Sequence, residues 1–104
     1  MLPERIVDLK QRIIEYGGLV EGMIEKSIRG LTDRDIEPLR SILNQDEPAA
    51  NAREVEIEEI GITVIAQYQP TARDLRTVLM ILRMNNDLER VGDRAVNIAQ
   101  SSLF

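Results

Sequence analysis

Ile6, Leu9, Ile13, Tyr16, Val20 and Met23 follow one another at alternating steps of three and four residues. That spacing lays six side chains along one stripe of an α-helix and would scatter them over both faces of a strand. Two more stripes follow. Leu39, Leu43, Asp46, Ala50, Ile57, Ile60 and Val64 form the second, and Leu75, Val78, Leu82, Asn85, Gly92, Ala95 and Ala99 the third. No stretch alternates as a half-buried strand does. Only three residues in 104 are aromatic, so the core is built of Ile, Leu, Val, Ala and Met, which suits packed helices. The pattern predicts an all-α, antiparallel three-helix bundle, a single domain over 1–104. Its helices span about residues 4–31, 36–68 and 72–102, each about 45 Å long at about 1.5 Å per residue.

The breaks between stripes carry turn and capping residues. Pro3 fits a first helical turn. Gly17 and Gly18 weaken the first helix by roughly 1 kcal/mol each relative to Ala; close helix approach, a slight bend and plain tolerance all account for them. TDRD, residues 32–35, offers N-caps for the second helix. Pro38 falls in a first turn and is harmless there. Pro48 lies deeper, and should remove a backbone bond and kink the helix near Asn44. In YQPTARD, residues 68–74, Pro70 ends one helix and Thr71 is placed to cap the next.

The chain has no Cys and no His. Disulfides, thiolate chemistry, imidazole bases and histidine-ligated metals are therefore excluded. A metal would have to bind through oxygen, which favours hard cations. The net charge of −5 argues against a nucleic-acid binder. No stretch is long and apolar enough to span a bilayer, and the charged start MLPERIVDLK lacks a signal-peptide core, so the cytoplasm is the expected compartment.

Residues 85–100 read NNDLERVGDRAVNIAQ. Asn86, Glu89, Asp93 and Asn97 recur there at steps of three and four, a row of oxygen-bearing side chains on one helical stripe. The connection into the third helix centres near residue 70. In antiparallel helices, positions equidistant from that point share a height, which sets Asp93 level with Glu47 and Glu89 level with Asn51. Two pairs spaced four residues apart would then face each other across a groove, a four-ligand oxygen constellation for a hard cation. Asp46 is adjacent to Glu47 and could replace it if the kink at Pro48 rotates the helix; Asn86 and Asn97 extend the row. Gly92, between the carboxylates, would let another backbone or a bulky cluster come close. The bland reading is a solvated face neutralised by Arg90 and Arg94. A row of Arg76, Arg83 and Arg90 reads as solubility and helix-to-helix ion pairs, and the acidic run at 54–59 as solvated. A carboxylate dyad for acid–base catalysis lacks a supporting pocket.

LRMNNDLERVGDRAVNIA, residues 82–99, closely resembles the signature helix of the PhoU family of phosphate-uptake regulators. LKQRIIEYGGLVEGMIEKSIRGL (9–31), NQDEPAANAREVEIEE (44–59) and QPTARDLR (69–76) resemble the family's first helix, second helix and tight connection, in the right order. The resemblance implies one repeat of a three-helix bundle, most like the N-terminal of the family's usual two. It further implies paired E(D)xxxD motifs that bind clusters of Mg, Mn or Fe ions. It implies a cytosolic, membrane-peripheral adaptor, not an enzyme. Such an adaptor couples the phosphate ABC transporter and its ATPase to a sensor histidine kinase. Glu89 and Asp93 match the third-helix motif and Glu47 the first acidic position of the second. Asn51 stands where the family usually has Asp, so a charge is lost, and Pro48 is unusual inside that motif. A single repeat also implies a homodimer that imitates the absent one, with Leu103, Phe104 and the Met80–Met84 region as exposed apolar contacts. The alternative function is a metal-free helical interaction and dimerisation module. A small helical enzyme of the chorismate mutase kind would need converging Arg and Lys, which here are dispersed among acidic neighbours.

Overall fold

The first stripe becomes α1, Leu2–Thr32, in a computed structural model that describes residues 1–103. All six stripe residues are buried, and Ser27 and Gly30 continue the row. The turn after α1 places Arg34 in the left-handed region (φ 54°). The Asp35 carboxylate then accepts the Glu37 N–H at 3.1 Å and caps α2, Ile36–Ser41. The return is so tight that a Cβ on Gly30 would stand 2.5 Å from Leu39 Cγ and 3.1 Å from the Asp35 carbonyl oxygen.

The expected second helix runs along one path but is not one α-helix. A π-helical segment, Ile42–Asp46, joins α2 to α3, Glu47–Tyr68. The kink anticipated near Asn44 takes this form for a physical reason. Pro48 has no N–H, and its ring would strike the carbonyl four residues back in a regular helix. Widening the turn moves that carbonyl aside, and the Glu47 N–H reaches five residues back to the Ile42 carbonyl instead. The extra residue also changes the phase. Ile42 takes the core place that the spacing assigned to Leu43, which is half-buried. Asp46 turns inward and accepts a hydrogen bond from Lys26 Nζ at 2.8 Å, while Lys26 also donates to Ser41 Oγ at 2.9 Å.

The chain turns back through Gln69 and Ala72, both at φ 48°, around a buried Pro70. α4, Ala72–Leu103, returns alongside α3. Two contacts fix their register. Leu82 lies over Gly61, where a Cβ would come within 2.6 Å of Leu82 Cδ2, and Asn85 Nδ2 donates to the Glu54 carbonyl at 2.9 Å. Ile81 and Val96 join the α4 core, while Leu75 and Leu82 are half-buried. α1 and α4 run parallel, and the bundle measures 50 × 18 × 18 Å.

Several expectations change. Leu103 is partly buried against the core rather than exposed; Phe104 lies outside the described residues. A Cβ on Gly17 or Gly92 would make only ordinary contacts, the nearest at 3.9 and 3.8 Å, and one on Gly18 would meet nothing. No close approach inside the bundle therefore requires these glycines. Helix-to-helix ion pairs come from Arg12 with Glu56 and Arg53 with Glu15, not from the arginine row. Within that row Arg90 pairs with Asp87 of its own helix, and Arg76 and Arg83 form no ion pair among the described residues. No helix of the described residues is long and apolar enough to cross a membrane.

Two glycines give opposite expected outcomes. Gly22 is helical with open space around its Cα, so Gly22→Ala should stabilise the chain by up to about 1 kcal/mol. Gly30→Ala should destabilise it by about 1–3 kcal/mol through overpacking against Leu39. Urea denaturation followed by circular dichroism checks both.

Candidate functional site

Glu47 and Asn51 on the first turns of α3 and Glu89 and Asp93 on α4 line one groove. Ala50, Gly92 and Val96 form its walls, and Tyr16 and Met23 of α1 close its floor. Small residues on both helices leave the groove open, and the register around residue 70 sets the two pairs opposite each other. Glu47 and Glu89 are half-buried, and Asn51 and Asp93 are exposed.

The further candidates go elsewhere. Asp46 faces Lys26 on the α1 side. Asn86 is exposed and outside the groove. Asn97 lines a separate hollow with Leu31 and Ile98. The row from Asn86 to Asn97 therefore contributes its two central carboxylates only.

The electrostatics of the groove are one-sided. A hydrogen bond with Asp93 raises the Glu89 carboxyl above its ordinary range; burial and the charges of Asp93 and Glu54 add to this, and Arg90 opposes it. Glu54 is raised by burial first, then by Glu58 and Asp93. Tyr16 is pushed up to about 12, chiefly by burial, with Glu54, Glu89 and Asp93 adding to it. Among the described residues no Lys or Arg pairs with Glu47, Glu54, Glu89 or Asp93. The local neutralisation open to Arg90 is spent on Asp87, at 2.7 Å.

Three residues escaped the sequence reading. Glu54 sits seven residues after Glu47, a spacing that returns to the same face, but it was absorbed in the acidic run at 54–59. Tyr16 was read as core alone. Asn85 is 1% exposed, and its Oδ1 is buried without a hydrogen-bond partner, one turn before Glu89.

All available donors are oxygens, and Glu47, Asn51, Glu89 and Asp93 suit a hard cation that keeps part of its water shell. Among the described residues no three carboxylates converge closely enough to cage an ion unaided. A partly hydrated ion fits this donor set better than a bare one.

A PhoU domain model matches residues 13–102. The phosphate-specific transport system accessory protein PhoU homolog of Aquifex aeolicus (strain VF5) is 34% identical over 101 residues, covering 97% of this chain and 45% of the relative. The homolog of Rhizobium meliloti (strain 1021) is 39% identical over 97 residues, 93% of this chain and 40% of the relative. The accessory protein PhoU of Escherichia coli (strain K12) is 33% identical over 95 residues, 91% and 39% of the two chains. The chain thus spans about two-fifths of the length of these curated relatives. No solved structure matches it significantly.

The raised carboxyl of Glu89 has a signed consequence. The fold retains its proton to higher pH than the unfolded chain does, so ionisation of Glu89 costs stability as pH rises through and above the ordinary carboxylate range. Glu89→Gln should raise the melting temperature at neutral pH. That gain should vanish below about pH 4, where both forms are neutral. Thermal melts of the two proteins across acid to neutral pH check the sign.

Proposed function

The chain belongs to the PhoU family, and on that premise we propose that it is a regulatory accessory domain of phosphate uptake that holds a hard cation in the α3–α4 groove. Its relatives are named as accessory proteins of the phosphate-specific transport system. The chain acts as an adaptor in the cytoplasm, without an enzymatic reaction of its own. It associates with the transporter's ATPase and with a sensor histidine kinase, and so ties uptake to the starvation response.

One observation carries the metal reading: Glu47, Asn51, Glu89 and Asp93 line one groove whose carboxylates form no salt bridge with a Lys or Arg among the described residues. Glu89 and Asp93 hold the ion from α4, and Glu47 and the Asn51 amide oxygen from α3. Mg²⁺ and Mn²⁺ suit the set through their retained waters, and ferric iron through its preference for carboxylate oxygen. The bound ion supplies positive charge and nothing else. Protons compete with the ion for the Glu89 carboxylate, so affinity falls as pH is lowered.

Asn51 in place of a carboxylate, and the lack of three converging acids among the described residues, favour the second reading, a metal-free helical docking module. The two separate cleanly. Protein purified without chelator should carry Mg, Mn or Fe by elemental mass spectrometry, and Glu89→Ala/Asp93→Ala should carry none. Full occupancy in that variant would sink the ligand assignment; a metal-free wild type after incubation with all three ions would leave the docking module. Asn51→Asp adds a ligand charge and should tighten Mn²⁺ binding roughly tenfold in isothermal titration.

A further inference from the structure

Tyr16 lines the floor of the groove from α1, the helix that carries neither of the paired motifs. The residue is 1% exposed, yet its hydroxyl forms no hydrogen bond with any described residue. A buried Tyr O–H ordinarily finds a partner. Among the described residues, the one fully buried side-chain polar atom left without a partner is Asn85 Oδ1. The Tyr16 oxygen is therefore not sealed in the core, and the groove is the opening that this side chain lines. Besides burial, the charges of Glu54, Glu89 and Asp93 act on the phenol, which sets its oxygen end toward the carboxylates of the groove. The cavity between these side chains measures about 10 Å³, room for one water or one small ion.

We propose that the Tyr16 oxygen is a further ligand of the ion in this groove and that it selects ferric iron over Mg²⁺ and Mn²⁺. The inference rests on the reading of the groove as a cation site and narrows it, since carboxylate and amide oxygens accept all three ions. A phenol binds a metal as its phenolate. The O–H bond breaks, an O–Fe bond forms and the proton goes to solvent, with no change of oxidation state. A trivalent hard ion drives that exchange far better than a divalent one. The phenolate also supplies the negative charge that Asn51 lacks. Glu47, Glu89 and Asp93 bring three charges to the groove, and Tyr16 adds a fourth from the opposite helix. Mg²⁺ and Mn²⁺ leave the phenol protonated and gain nothing from it.

The chain is stripped with chelator, dialysed and titrated with ferric nitrilotriacetate. An iron-bound phenolate gives a visible charge-transfer band, and resonance Raman excited in that band shows the phenolate ring modes, a signature that core packing cannot produce. The wild type should colour in proportion to the iron it takes up. Tyr16→Phe removes the oxygen alone. It should lose the band and bind iron at least about tenfold more weakly, while Mn²⁺ binding in isothermal titration stays unchanged. Tyr68→Phe should keep the band; the chain has only these two Tyr, and Tyr68 lies at the far end of α3 from Glu47 and Asn51. Circular dichroism verifies that each variant folds, and the wild-type Raman spectrum decides the matter without any variant. Iron that Glu89→Ala/Asp93→Ala loses but that gives the wild type no phenolate band would overturn the proposal and leave the groove reading standing. So would a band that survives in Tyr16→Phe. A wild type that takes up none of Fe, Mn and Mg would overturn both.

Discussion

A proline inside a helix withholds one hydrogen bond and pushes its ring at the carbonyl four residues behind. Pro48 imposes both conditions where the chain has to continue, and the π-helical turn at Ile42–Asp46 meets them. The widened turn adds a residue without breaking the path, so every side chain around it changes heading. Asp46 goes inward to Lys26, which binds α1 to the turn through Ser41 as well. Glu47 goes to the other side, into the groove. Two acids adjacent in sequence therefore serve different ends: one is paired and structural, the other unpaired and available.

The groove gathers acids that raise one another's carboxyls. Glu54, Glu89 and Asp93 act on one another and on Tyr16, and none of the three forms an ion pair with a Lys or Arg among the described residues. Elsewhere several acids are paired, Glu56 with Arg12, Glu15 with Arg53 and Asp87 with Arg90, while Glu21, Glu25, Glu58 and Glu59 stand exposed without an ion pair among the described residues. What distinguishes the groove is that Glu89 and Glu54 are half-buried and carry raised carboxyls among acids that form no ion pair with a Lys or Arg among the described residues, a pattern of the sort that functional sites show. The buried, unpartnered Oδ1 of Asn85 stands at the edge of the same region.

Helix-period spacing made the α1 core legible residue by residue, because a long straight helix keeps its phase and every apolar position points to one side. The second stripe was read correctly on either side of the proline and missed by one residue at the turn, where Ile42 replaced Leu43. Gly61 was invisible as a core position because a glycine carries no apolar signal; the space beneath Leu82 gives it its place. The arginines of α4 recur regularly, yet regular spacing says nothing of what stands across the gap, and their expected partners on other helices are absent among the described residues.

Sequence by itself determined the three stripes, their order, the exclusion of thiolate and imidazole chemistry, and the register about residue 70 that set Glu47 and Asn51 against Asp93 and Glu89. These follow from local quantities: residue spacing, residue type and the shortness of one connection. Only the tertiary structure decided which acid of the pair Asp46–Glu47 enters the groove. It alone decided that Asn86 and Asn97 leave it, that Glu54 and Tyr16 share its field, and which basic residues are already engaged. Those outcomes depend on the phase of a helix after an irregular turn and on side chains brought together from three helices, and neither is encoded in the spacing along any one of them.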